Sequence, residues 1–338
     1  MTLSPREIAA EDVTDSAAFL SEVAEPCRPV VMRGMVDSWP AVAAAMRSPA
    51  HLRDYISRFD AGGEAEVFVG EAGIAGKYYY SDDLRGFNFS RARMHFTDAL
   101  DRIVAGAGSS SGSSMYMGSL PIDQYLPGFA AENSLPIFKA QVAPRIWLGH
   151  ASNVSAHYDT MDNVACVVAG TRRFTLYAPE TIDRLYVGPI DHTMAGQPVS
   201  LAASAPANDE RFPRFGEVRD QALVAELQPG DAIYLPKLWW HQVEAIGPFN
   251  VLVNYWWDAF SAGRDAPAVA MLLSLIAIAE RPPAERQAWK AFFDHFVFRT
   301  HGHPLAHLPA DQHGVLGPLK PDNYQKIRAR VMQMLRGV

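Results

Sequence analysis

Two imidazoles and a carboxylate set the tightest constraint on how this chain folds. His157 and Asp159 lie two apart in Ser155-Ala156-His157-Tyr158-Asp159, and His241 follows after a further 81 residues in Leu238-Trp239-Trp240-His241. Residues two apart on a strand project to the same side, so one short strand can present both His157 and Asp159. His241 joins them only if a later strand returns beside the first, and that requires a curled sheet. Two imidazoles and one carboxylate occupy one face of an octahedral iron(II) and leave the opposite face open. In a chain with 11 His and 37 acidic residues a His-x-Asp pair often arises by chance, so the neighbours decide.

Those neighbours read as short strands. Asn163 to Gly170 is apolar and partly β-branched, and ends in a turn. Arg172 to Ala178 follows, closed by Pro179, and counting by twos puts Arg172 on one face with Phe174 and Leu176. A guanidinium on an apolar face needs an anion. Either an acidic side chain of the chain itself supplies it, or the planar fork waits for the carboxylate of a small acid. Further on, Pro229-Gly230-Asp231 is turn chemistry and Ala232 to Leu235 a strand stopped by Pro236. His241 then alternates with Val243 and Ala245 against Gln242 and Glu244, which places His241 inward. Asn250 to Trp257 is another strand, with Asn254 embedded among apolar neighbours. A buried amide needs partners, either backbone groups or the metal site.

With these residues in view, the chain resembles the Jumonji-C-type, cupin-like 2-oxoglutarate oxygenases, and is most similar to the branch around factor inhibiting hypoxia-inducible factor, an asparaginyl hydroxylase, and its bacterial cupin-like relatives. The resemblance runs through Asn153 to Asp159, Asn163, Gly170 to Arg173 with Pro179, Pro229 to Pro236, Trp239 to His241 and Val253 to Trp256. More weakly it reaches Pro29 to Gly34, Trp39-Pro40, Tyr78 to Asp83, Asn88-Phe89 and Met115 to Met117. It implies a mainly β fold, a double-stranded β-helix (jelly-roll) barrel with flanking N-terminal α/β elements and a C-terminal helical segment. It implies iron(II) on His157, Asp159 and His241, with 2-oxoglutarate as cosubstrate. Arg172 would hold the distal carboxylate where the hypoxia enzyme has lysine, keeping the charge and adding a bidentate fork. Tyr116 would touch the same carboxylate, and Asn163 and Asn254 would line the pocket. A hydroxyl residue expected before the His-x-Asp pair falls on Ser155, or on Val154 if the alignment has no gap. The implied reaction is hydroxylation of a C–H bond, on a protein or peptide side chain, with release of succinate and CO2. Alternatives are a small-molecule hydroxylase of the same fold, and a noncatalytic cupin that binds a ligand or serves as a scaffold. Succinate formation separates either hydroxylase from the noncatalytic cupin.

Composition agrees with a soluble enzyme of 338 residues, 49% hydrophobic and 20% charged. A net charge of −7 with no basic run argues against a nucleic-acid partner. Only Cys27 and Cys166 are present, and the N-terminus lacks the basic start and apolar stretch of a signal peptide, so a reducing, cytoplasmic location is expected. Residues 1–262 are expected to form the oxygenase domain and 263–338 a helical region. The first part reads as a helix near 15–24, a strand at 29–33, helices near 39–46 and 49–58, strands near 65–69 and 77–80, and a helix near 96–105. The Ser-rich stretch from Gly106 to Ser114 reads as a flexible loop. The stretch 188–219, rich in Pro, Ala, Asp and Ser, is too long for an idle connection and reads as a substrate-facing lid.

Beyond residue 262 three helices are predicted. Ala268 to Ala279 is apolar nearly all round yet too short to span a membrane, so it is expected to be buried in protein. Ala284 to Phe298 sets Trp289, Phe292, Phe293 and Phe296 on one side, and a third helix runs from Asp322 to Leu335. The family resemblance implies a homodimer through such helices. His301, His303 and His307 cluster near Asp311 and form a rival metal set, though Pro304 and Pro309 leave no regular element to fix them.

Overall fold

The run from Asp162 to Ala169 forms a strand in which every residue is buried, because both of its faces are covered. The structure is a computed structural model that describes all residues except 1–2, 14, 82, 109–111, 139–141, 192, 194–195, 207–208, 262 and 338. The centre of the Ser-rich loop and parts of the 188–219 stretch thus lie outside the described residues. The chain divides into two compact units, Met1–Ala259 and Phe260–Val338.

In chain order the first unit contains β1 (Arg6–Ala9), β2 (Val30–Arg33), β3 (Glu64–Gly70), β4 (Lys77–Tyr78), β5 (Ser90–His95), β6 (Ser114–Pro121) and β7 (Pro144–Gly149). It continues with β8 (Ser152–His157), β9 (Asp162–Ala169), β10 (Arg172–Tyr177), β11 (Leu223–Leu227), β12 (Ala232–Leu235), β13 (Trp240–Ala245) and β14 (Asn250–Trp257). They form a nine-stranded sheet, β1-β2-β12-β9-β14-β7-β6-β3-β5, and a five-stranded sheet, β11-β10-β13-β8-β4. From β7 to β10 successive strands alternate between the sheets, and β12, β13 and β14 alternate again. Four strands of each sheet thus wind into the double-stranded β-helix that the sequence predicts.

Strand parity explains the continuous apolar runs. Val164, Cys166 and Val168 of β9 face an outer core with Ala232 and Tyr234 of β12 and Val251, Val253 and Tyr255 of β14. Ala165, Val167, Ile233, Leu235 and Leu252 face the barrel interior with Phe174 and Leu176 of β10. The outer core is closed by helices α1 (Pro40–Arg47), α2 (Pro49–Ser57) and α3 (Phe96–Gly106). Leu52, Ile56, Phe96, Leu100 and Ile103 are fully buried there, each stabilising the fold by about 1.5–3 kcal/mol. Pro49 begins α2 and the Ser48 hydroxyl caps it, accepting from the His51 N–H at 3.2 Å. The outer layer makes the large sheet a rigid wall for whatever lines its inner face.

The second unit carries α4 (Pro267–Ile278), α5 (Pro283–Phe296) and α6 (Pro321–Leu335). The expected burial of the apolar segment is not met within the single chain: α4 has no buried residue, and Ile276 is 79% exposed. Three helices make too thin a layer to cover an element that is apolar on every side. Trp289, Phe292 and Phe296 do lie along one side of α5 in ring contact, as their spacing predicts. Among the described residues no helix is long and apolar enough to cross a membrane.

Candidate metal centre

β8 and β13 pair antiparallel with His157 directly opposite His241, and their rings lie 4.3 Å apart. Asp159 sits just past the end of β8, where its backbone carbonyl accepts the Leu238 N–H at 2.8 Å on the approach to β13. One potential ligand atom from each of His157, Asp159 and His241 lies within 4.8 Å of the others, and Asp159 Oδ2 is 3.7 Å from His241 Nε2. Among the described residues this is the one such group.

Each imidazole is set for coordination by its own backbone. His157 Nδ1 meets the Ser155 carbonyl at 2.9 Å, and His241 Nδ1 meets the Trp239 carbonyl at 2.9 Å. A carbonyl only accepts, so Nδ1 carries the proton on both rings and Nε2 presents a lone pair. Burial, with His157 adding to it and Asp159 opposing, pushes the His241 pKa down to about 4, which keeps the ring neutral near pH 7. Trp256 Nε1–H donates to Asp159 Oδ2 at 3.2 Å and fixes the carboxylate. Donor types, tautomers and spacing therefore fit a divalent transition metal, iron(II) included.

The triad borders a cavity of about 150 Å³. Val154, Ala165, Phe174, Val243 and Leu252 form its apolar lining, Phe68, Tyr78, Phe89, Trp147 and Trp256 an aromatic wall, and Tyr116, Asn163, Arg172 and Asn254 its polar points. Arg172 is 3% exposed, its Nε lacks a hydrogen-bond partner, and among the described residues no carboxylate pairs with it. The structural ion pair is thereby removed from the two readings of this residue. Burial depresses the Arg172 pKa while Tyr116 opposes the shift, and the buried Tyr116 phenol is pushed up by burial with Arg172 opposing. The amides are chained: Trp147 Nε1–H donates to Asn254 Oδ1 at 2.8 Å, and Asn254 Nδ2–H donates to Asn163 Oδ1 at 3.1 Å.

Ser155 is a correction. The cavity is lined by Val154, and the Ser155 hydroxyl is buried with no hydrogen-bond partner among the described residues. The pairing register shifts between His241↔His157 and Val243↔Val154, so β8 carries three steps where β13 carries two. This β-bulge breaks the period of two, turning Val154 and His157 to the cavity and Ser155 away.

Other lining residues carry no metal-ligand signature in sequence. Gln197 and Val199 come from the 188–219 stretch, where Val199 forms a bridge to His157 and the Ser200 N–H donates to the Ala156 carbonyl at 2.7 Å. The long connection thus reaches the metal strand. Among the described residues the histidines of the second unit form no rival site: His303 Nε2 bonds the Leu316 carbonyl at 2.9 Å and Nδ1 accepts the Leu305 N–H at 3.1 Å, leaving no free lone pair. His313, not His301 or His307, stacks on it at 4.2 Å.

A jelly roll with a His/Asp/His group on facing strands at the edge of its interior defines a metal-binding cupin-type barrel. The family model of the cupin-like domain matches residues 16–263, and the chain belongs to that family. It is 26% identical over 257 residues to Jumonji C domain-containing protein 5 of Drosophila melanogaster, an overlap of 73% of this chain and 59% of that protein. It is 27% identical over 267 residues to the bifunctional peptidase and (3S)-lysyl hydroxylase of Homo sapiens, covering 69% and 78%. With lysine-specific demethylase 8 of Xenopus tropicalis it shares 22% identity over 241 residues, 69% and 48% of the two chains. The chain spans about half the length of several curated relatives it matches. Jumonji C oxygenases use iron(II) and 2-oxoglutarate and act as hydroxylases or demethylases.

Proposed function

We propose that this chain is an iron(II)- and 2-oxoglutarate-dependent oxygenase that hydroxylates a C–H bond of a protein or peptide side chain, releasing succinate and CO2. The observation that carries the reading is Arg172, a buried cation without a counter-ion among the described residues, in the same cavity as the His157, Asp159 and His241 group. Arg172 lies four residues along β10 from Leu176, which pairs with His241, about 13 Å of strand. A short diacid would fit such a cavity, with Arg172 to hold a carboxylate.

Bound iron and 2-oxoglutarate supply the oxygen chemistry, and the chain supplies position. The Arg172 fork and the Tyr116 hydroxyl hold the distal carboxylate. Asn163 and Asn254, fixed by Trp147, line the cosubstrate pocket. Val154, Phe174, Val243 and Leu252 keep water from the reacting groups. Anaerobic addition of iron(II) and 2-oxoglutarate should produce a visible charge-transfer band, and admitting oxygen should yield succinate. Asp159→Ala should abolish both, and a succinate-free wild type would leave a noncatalytic binding protein.

The protein or peptide substrate is supported by relatives named for lysyl hydroxylation and lysine demethylation. Hydroxylation is preferred over demethylation on the resemblance to the hydroxylase branch, and a small-molecule substrate is the second reading, favoured by the modest cavity. We also propose a homodimer in which the exposed Val269, Met271, Leu272, Leu275 and Ile276 of α4 are covered by a second copy. Light scattering that gives one chain's mass at micromolar concentration, for the parent as for Ile276→Glu, counts against it. The two free cysteines, Cys166 inside β9, support a reducing compartment such as the cytoplasm.

A further inference from the structure

We infer that Arg145 recognises a carboxylate of the substrate, so that the carbon oxidised lies near an acidic group. This rests on the oxygenase reading above and narrows it to a substrate class. Ile146 and Leu148 of β7 face the outer core, so Arg145 and Trp147 face the barrel side. Arg145 lies directly opposite Asn254, and Trp147 opposite Leu252; Trp147, Asn254 and Leu252 all line the cavity. The guanidinium sits 5.9 Å from the ring centre of Trp256, whose indole N–H holds the metal-ligand carboxylate of Asp159. A group on Arg145 is thus one aromatic ring away from the metal centre.

The guanidinium is rigidly aimed and lacks an anion. Nε donates to the Ser119 hydroxyl, and Nη2 to the Ser119 carbonyl at 2.8 Å. Nη1 has no partner among the described residues, and no carboxylate pairs with the side chain. Elsewhere Arg33, Arg53, Arg173 and Arg211 each meet a carboxylate at 2.5–2.6 Å. In an acidic chain, an arginine kept free of acids on the cavity side of the sheet marks a place for an incoming one. Arg172 is committed to the cosubstrate, which leaves Arg145 as the cation for the substrate. The guanidinium fork suits a carboxylate, and the Trp256 face beneath it restricts where that carboxylate sits.

The carboxylate belongs to an Asp or Glu near the target residue of a peptide, or to a small acid. Manganese(II)- and 2-oxoglutarate-loaded protein, kept anaerobic, is titrated into two labelled decapeptide pools identical except for Asp and Glu in one and Asn and Gln in the other. Binding is read by fluorescence anisotropy, and phenylacetate binding is followed in parallel by tryptophan quenching. The acidic pool should bind about tenfold more tightly. Arg145→Gln should reduce the preference to about twofold or less, and Arg145→Lys should restore part of it, which a merely structural role would not do. A preference for phenylacetate that depends on Arg145, without one between the pools, assigns the carboxylate to a small-molecule substrate. Pools that bind equally together with phenylacetate binding indifferent to Arg145, or a preference that survives Arg145→Gln, overturn the inference. These are binding measurements without turnover, so their failure is distinct from loss of the charge-transfer band, which counts against the oxygenase reading.

Discussion

Replacing Arg172 by methionine should strengthen the empty protein and cripple its use of cosubstrate. Methionine keeps much of the length of the arginine stem and fits the apolar surroundings of Phe174 and Val243. In the cosubstrate-free chain the guanidinium is 3% exposed with no counter-ion among the described residues, and such a group opposes folding. Exchanging it for an apolar side chain should stabilise by about 2 kcal/mol, which raises Tm by roughly 4 °C in a unit of this size. With 2-oxoglutarate the sign reverses. Two hydrogen bonds to a charged group, at about 1.5–3 kcal/mol each, are lost. Counting about 3 kcal/mol net, the KM for 2-oxoglutarate should rise roughly 150-fold. Thermal melts with and without 2-oxoglutarate, together with succinate formation across cosubstrate concentration, read both effects. An empty variant that melts below the parent, with KM within threefold, would falsify the assignment and return Arg172 to a structural role.

Three further outcomes are expected. His241 titrates near 6.5 in the unfolded chain and about 4 in the folded one, so the unfolded chain binds more protons between those values. Stability of the metal-free protein should be complete above about pH 6.5 and fall as pH drops towards about 4, a slope that thermal melts should find weakened in His241→Leu. Trp256→Phe keeps the ring but removes the N–H on Asp159, and should weaken manganese(II) affinity about 10–100-fold by titration; unchanged affinity would show that the indole does not hold the ligand. Ser155→Ala removes a buried hydroxyl without a partner, so Tm should hold or rise and the 2-oxoglutarate KM should stay within about twofold; a large KM increase would place the hydroxyl in the cavity after all.

Much of the barrel is legible because its strands are sharply punctuated. Gly170 and Pro179 bracket β10, Gly230 and Pro236 bracket β12, and counting by twos puts Arg172 and His241 on the inner face where they lie. β5 is missed because Ser90-Arg91-Ala92-Arg93-Met94-His95 is an edge strand paired on one side only, with no buried residue to mark it. β1 is short, half exposed and likewise at the sheet edge. The hydroxyl position is misjudged because a bulge changes parity without any composition cue. Gln197 and Val199 escape because their closeness to His157 depends on a fold-back of the long connection, not on local pattern. The sequence calls for the apolar α4 to be covered, but periodicity cannot say whether the cover comes from the same chain.

The extra residue in β8 has a consequence for how this barrel tolerates change. It uncouples the part of the strand that carries His157 from the part that carries Val154, because the phase of one no longer dictates the phase of the other. Pocket volume can therefore be tuned at Val154, by exchange for a larger or smaller side chain, without rotating an imidazole away from its partners. Removing a single residue at this kink would do the reverse, swapping inside for outside along half the strand and dismantling the triad while leaving every ligand present in the chain.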